Sequence, residues 1–258
     1  MAGTILSARE MRRYSKQMML PGFGTAGQEK LKKSGVIVVG AGGLGCPVLL
    51  YLAAAGVGRI VIAENQSVDE TNLQRQVLYG SDDVGKLKSI LAKNRLDLNN
   101  NLIETEAVNL RIGPSNAVTI FRDFDLIVDA TDNLSSRYII NDACIILGKP
   151  MVHGAIYRYE GQVSVFNHKG GPTYRCYNPQ ENSNTLINPS PDEVGLLGVL
   201  PGVTGILMAN EVIKIITGRG EILSGKVLIF NIHDYSFNVV KVKNIPANHG
   251  IREMKAKY

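Results

Sequence analysis

An apolar run of β-branched residues, Val36-Ile-Val-Val39, that stops at Gly40-Ala-Gly-Gly-Leu-Gly45 constrains this chain more than any other feature. A run without polar alternation suits a strand buried on both faces, and such strands belong to parallel sheets covered by helices. A helical stretch then runs to about Ala55, followed by a second apolar strand, Arg59-Ile-Val-Ile-Ala63. Strand, glycine turn, helix and strand make a βαβ unit, which a right-handed crossover closes into an open parallel sheet.

The alternation continues with a helix over about 85–98, a strand over about 103–108, a short helix near 115–122, a strand at 125–129 and a helix over about 134–147. Upstream, Ser7-Ala-Arg-Glu10 has the form of a capping box, so a helix is predicted from about residue 8 to the Pro21-Gly22 pair. Downstream, Glu160–Phe166 forms a strand, 167–200 is a crossover loop rich in Gly, Pro, Asn and Ser, about 202–217 is a helix, and 226–242 is an alternating β region. The chain is thus predicted to be a single α/β domain over 1–258. It is Rossmann-like, with a mostly parallel sheet, helices on both faces, a C-terminal antiparallel β region and an N-terminal helical arm over about 1–35.

Composition narrows the partners. With 45% hydrophobic residues and a net charge of +5 the chain is not a disordered one. Its longest apolar stretch, Val48 to Ala63, contains Arg59 and falls short of the ~20 residues that span a bilayer, and the first residues lack a secretory pattern. No membrane association and a cytoplasmic location are expected. Cys46, Cys144 and Cys176 form no C-x-x-C pair, which argues against a disulfide framework. Residues 1–35 hold seven Lys or Arg against two Glu, read either as solvated surface or as a face for polyphosphate or an acidic partner. No zinc-finger spacing or aromatic-interleaved basic stripe suggests nucleic acid.

Gly40, Gly42 and Gly45 fit G-x-G-x-x-G with Gly43 inside the turn, and Glu64 ends the second strand where a ribose-binding acid stands. Alone this pattern indicates a nucleotide site, with a nicotinamide or flavin oxidoreductase as the default. Three further motifs depart from that default. Asn72-Leu-Gln-Arg75-Gln76, Gly85-Lys-Leu-Lys88 and Asp129-Ala-Thr-Asp132-Asn133 all fall at carboxyl ends of strands or starts of helices. Arg75 and Lys88 offer cations to a triphosphate and Asp132 a hard oxygen to Mg²⁺, with Asn72, Gln76 and Asn133 beside them. Attack at the α-phosphorus of ATP uses such a set; hydride transfer does not.

These motifs, together with Arg13-Tyr-Ser-Lys-Gln17, Tyr51–Gly58, Glu160-Gly-Gln162 and Gly198-Val-Leu-Pro-Gly202, occur in one order from about residue 8 to 240. In that order they resemble the ThiF/MoeB/HesA family, the bacterial ubiquitin-activating-enzyme-like adenylyltransferases of thiamine and molybdopterin biosynthesis. The resemblance implies a homodimer that binds Mg-ATP and adenylates the Gly-Gly carboxylate of a ubiquitin-like sulfur carrier, releasing pyrophosphate. It places Glu64 at the ribose, Arg75 and Lys88 at the phosphates and Asp132 at Mg²⁺. A related acceptor is a short ribosomal peptide. A third reading is a nucleotide-binding scaffold weakened in catalysis.

Four departures from the family qualify these expectations. Of its two zinc-binding C-x-x-C pairs only Cys176 remains, with Thr173 in the partner position and no cysteine after Pro246, so no zinc is predicted. Where the crossover loop often carries a cysteine the chain has Ser190-Pro191, so adenylation without an acyl-thioester is predicted. The arm's Arg-Gln, which in the family reaches ATP across the dimer, is Lys16-Gln17, with Arg13 one turn away as a substitute. The second acid after Glu64 is Gln66. His153, His168, His233 and His249 show no metal spacing and are assigned structural or surface roles.

Overall fold

The computed structural model describes residues 4–179 and 195–258. The Ser7 hydroxyl accepts from Glu10 N and the Glu10 carboxylate accepts from Ser7 N, the capping box read from the sequence. The arm is not one helix: α1 (Ala8–Arg13) and α2 (Ser15–Met18) break at Tyr14, whose ring is buried and whose hydroxyl accepts from Asn100. A further helix, α3 (Gly24–Lys33), was not anticipated, because it offers the core only Leu31 and closely packed Gly27 and Gln28. Three of the basic residues here are tied to the fold. Arg13 donates to Asn99 O and Lys30 to Thr217 O, at two helix ends, while Lys32 pairs with Glu10.

The sheet has eight strands in the order β3-β2-β1-β4-β5-β6-β7-β8. Strands β1 (Gly35–Val39), β2 (Arg59–Ala63), β3 (Glu104–Val108), β4 (Leu126–Asp129) and β5 (Met151–Tyr157) pair in parallel. Antiparallel β6 (Glu160–Phe166), β7 (Lys226–Asn231) and β8 (Ser236–Lys241) extend it. This is the mostly parallel sheet with an antiparallel C-terminal region that the sequence predicted. Strand β5 was missed, because His153 and Gly154 interrupt its apolar run.

Alternate residues of β1 feed two cores. Val36 and Val38 pack with α4 (Gly45–Ala55), α5 (Lys88–Asn99) and α9 (Val199–Thr217), while Ile37 and Val39 pack with α6 (Ala117–Phe121) and α7 (Leu134–Leu147). Each fully buried aliphatic side chain contributes ~1.5–3 kcal/mol of transfer free energy. Helix α9 is long and apolar enough to cross a membrane, longer than the Val48–Ala63 run singled out from the sequence, yet here Met208, Ala209 and Val212 face the core against α4, β5 and β6. Within the described part of the crossover loop, α8 (Tyr174–Tyr177) forms one turn; Ser190 and Pro191 lie outside the described residues.

Candidate active site

The glycine loop is set by close packing. Gly40 has φ +98°, and a Cβ there would lie 2.7 Å from Ala130 O at the end of β4. A Cβ on Gly45 would lie 2.0 Å from Gly40 O, so the start of α4 is pressed against the loop. No side chain caps α4, and Cys46 N donates to Gly42 O at 2.9 Å, so the glycine loop winds directly into the helix whose positive dipole end an anion at the loop would meet. Beneath the loop, Tyr79 OH and Cys46 Sγ both donate to Ala41 O, at 2.8 and 3.5 Å. Burial pushes the Cys46 thiol up to about 12, so it acts as an uncharged wedge.

Glu64 leaves β2 and accepts from Ala41 N at 3.1 Å and from Asn65 N and Gln66 N, each at 2.8 Å. The bonds tie the end of β2 to the glycine loop and fix the carboxylate at the cleft wall. Lys88, at the start of α5, is 2% exposed and donates to Gln66 Oε1 at 3.2 Å. Burial lowers its ammonium below the usual lysine range, against the opposing pull of Glu64. The residue in the second acid's place is therefore the acceptor that orients the buried lysine. Arg75 Nη1 bonds Thr71 O at 3.0 Å, and the buried Gln76 leaves its Oε1 without a partner.

Opposite, Asp129 ends β4 fully buried. It accepts from Thr131 N at 3.1 Å and Thr131 Oγ1 at 2.6 Å, and its Oδ2 lies 2.7 Å from His153 Nδ1 on β5. Burial pushes the imidazole down, towards the neutral form, and Asp129 pulls it up less strongly. The pair secures the turn that presents the exposed Asp132. Asn133 caps α7 by accepting from Ser136 N at 2.9 Å, and its Nδ2 donates to Asp132 Oδ1.

These segments enclose a cleft of about 320 Å³. Gly40, Gly42, Gly43, Glu64, Arg75, Gln76, Asp132 and Asn133 line it, as do Leu110 and Ile112, an apolar end suited to a base. Gly45 and Lys88 stand behind the wall, and Asn72 lies in a 3-10 turn outside it. Arg13 and Lys16 do not line the cleft of their own chain. Arg13, offered as a substitute for the missing arginine, donates to Asn99 O at 2.7 Å, at the far end of α5 from Lys88. Gln17 is bound to Gln28 within the arm and to Ala55 O at the end of α4.

Sequence reasoning missed Arg137. It lines the cleft at 7% exposure, and its Nη2 reaches Thr131 O at 3.4 Å. Its position four residues beyond the Asn133 cap, on the same helix face, was the available signal.

Away from the cleft, Cys176 Sγ accepts from Ile245 N at 3.4 Å and Asn248 Nδ2 at 3.5 Å and shares a hydrogen bond with Thr173 Oγ1. Burial raises this thiol, but the hydrogen bonds outweigh it and bring it below the usual range. The two segments that carry zinc ligands in the family are thus joined here through one sulfur. Among the described residues no group of three or more His, Cys, Asp or Glu is arranged to hold a metal.

The chain is 48% identical over 242 residues to the sulfur carrier protein adenylyltransferase of Thermus thermophilus, covering 92% of this chain and 89% of that protein. It is 46% identical to the probable molybdopterin-synthase adenylyltransferase of Porphyra purpurea and 44% identical to the probable adenylyltransferase/sulfurtransferase MoeZ of Mycobacterium tuberculosis, spanning 63% and 64% of their lengths. Among solved structures, E. coli MccB with SeMet MccA superposes with a TM-score of 0.81 at 25% identity over 93% of this chain and 74% of that one. PaaA shares the fold with a TM-score of 0.81 at 23% identity, over 94% of this chain and 86% of that one. Matched over residues 14–250 by the ThiF family model, the chain belongs to the ThiF family.

Proposed function

We propose that this protein is an ATP-dependent adenylyltransferase that activates the C-terminal Gly-Gly carboxylate of a ubiquitin-like sulfur carrier of thiamine or molybdopterin biosynthesis. The observation that carries the reading is the gathering of Arg75, the Gln66-held Lys88 and Asp132 around a glycine loop and an uncapped helix N-terminus. The near full-length likeness to a protein named for this activity supports it.

The base lies against Leu110 and Ile112, the ribose against Glu64, and the phosphates over Gly40–Gly43. A carboxylate oxygen of the carrier attacks the α-phosphorus, the bond to the bridging oxygen breaks, and pyrophosphate leaves. No proton need move and no protein nucleophile is required, so the enzyme supplies alignment and charge. Arg75 and Lys88 hold the departing charge. Asp132 is the residue that would hold Mg²⁺, because an exposed carboxylate beside a phosphate site suits an ion bound by one or two carboxylates plus substrate phosphates. That ion would neutralise phosphate charge. Zinc has no place in this scheme.

The enzyme works as a cytoplasmic homodimer. Exposed apolar Met19, Leu20, Tyr51 and Ile90 on the arm, α4 and α5 support association with a second copy. Exposed Lys16, absent from its own cleft, would serve the partner's.

Pyrophosphate–ATP exchange tests the reading. Exchange that depends on a Gly-Gly carrier supports it. Exchange only with a short peptide would assign a different acceptor, and ATP binding without exchange would make the protein a scaffold.

A further inference from the structure

Arg137 is a buried cation with hydrogen-bonding capacity to spare. Its Nε is buried without a partner, and its hydrogen bond to Thr131 O is long at 3.4 Å. Asp129 feels the Arg137 charge, yet its oxygens are already supplied by Thr131 and His153. An arginine kept dry with an empty donor is costly unless an acceptor arrives with a ligand.

Its position says which ligand group that is. Displacement at phosphorus runs in line, so the attacking and leaving oxygens lie on opposite sides. Arg75 and Lys88, assigned to the leaving pyrophosphate, belong to the segment between β2 and α5. Arg137 follows β4, on the other side of β1, ~10 Å across the sheet at the usual strand spacing. There it shares the cleft wall with Ile156 of β5 and Leu196. Its charge is also felt by Tyr177, whose hydroxyl donates to Gln162 at 2.7 Å. From Arg137 the cleft wall thus runs by Ile156 and Leu196 toward the antiparallel strands, with the Tyr177–Gln162 pair nearby, a route for an extended peptide terminus.

We infer that Arg137 receives the terminal carboxylate of the incoming substrate and holds it opposite the leaving pyrophosphate, its planar fork matching the carboxylate plane. This inference rests on the adenylation reading. No bond to Arg137 forms; it orients one carboxylate oxygen towards phosphorus and is released with the acyl adenylate.

The test uses the full chain with a non-hydrolysable ATP analogue and Gly-Gly carriers of the thiamine and molybdopterin routes, each made with a terminal carboxylate and with a terminal carboxamide. Calorimetry on the wild-type protein should show the carboxylate favoured by about 10- to 100-fold. In Arg137→Gln that ratio should fall to near one, while affinity for the analogue changes by less than about threefold; Arg137→Lys should recover part of the ratio. Melting curves establish that each variant folds, and Arg137→Lys carries the test should the glutamine variant not fold. An unchanged ratio, or analogue affinity falling as far as carrier affinity, would overturn the inference. Failure of the wild-type protein to bind the analogue would overturn the adenylation reading itself.

Discussion

The parallel and antiparallel halves of the sheet are built to different ends. In the parallel half, β1 and β4 are covered on both faces, and the carboxyl ends of β1, β2 and β4 deliver the glycine loop, Glu64 and the Asp132 turn to one cleft. In the antiparallel half, β8 leaves Phe237, Val239 and Val240 exposed, and the chain beyond it is fastened to α8 through the Cys176 sulfur. Parallel strands need helical crossovers, so their ends and helix starts collect at one edge; hairpins carry no such obligation. Chemistry therefore concentrates in one half, while the other serves support and contact.

If this division is right, changes in the parallel half strike catalysis. Lys88→Ala or Asp132→Ala should cut carrier-dependent pyrophosphate exchange by about 10²- to 10³-fold with little change in melting temperature, since each removes charge from the phosphate site. Equal loss of stability and exchange would blur the comparison.

Gly45→Ala should destabilise the fold by about 3 kcal/mol in denaturant titration, because its methyl would meet the Gly40 carbonyl with nothing flexible to yield. Full stability in that variant would mean the loop is not packed as described.

The next effect is on pH dependence. Burial lowers the Lys88 pKa, so the charged form that holds phosphate prevails below that lowered value and is lost as pH rises through it. The KM for ATP should therefore rise by up to about tenfold at alkaline pH below the ordinary lysine range of ~10.4. Lys88→Arg should flatten that limb, its guanidinium keeping its charge throughout.

The smallest effect falls in the antiparallel half. Cys176→Ser should lower the melting temperature by about 2–4 °C, corresponding to about 1 kcal/mol, and leave exchange unchanged. A large loss of exchange would show that this half reaches the chemistry after all.

The legible parts of the molecule share a local cause. β1 announced itself because burial on both faces forces an apolar run, and the loop because only glycine fits against Ala130 O and Gly40 O. β5 was hidden because its polar member, His153, is satisfied by Asp129 on another strand, and Gly154 makes room for Met208, far along the chain. Helix α3 and the break at Tyr14 were hidden in the same way, since Gln28 bonds Ala55 O and Tyr14 accepts from Asn100. The bond from Arg13 to the carbonyl end of α5 was hidden likewise, since Asn99 lies far along the chain.

By itself the sequence determined the βαβ unit, the order of the motifs along the chain and most of the residue types that line the cleft, because periodicity and glycine geometry act over a few neighbouring residues. Tertiary structure alone decided that Gln66 orients Lys88, that Cys176 fastens the C-terminal segment, and that Arg137 stands dry at the cleft with a donor unfilled. The physical reason is that desolvation and hydrogen-bond satisfaction depend on which distant groups surround an atom, and only the folded chain brings those groups together.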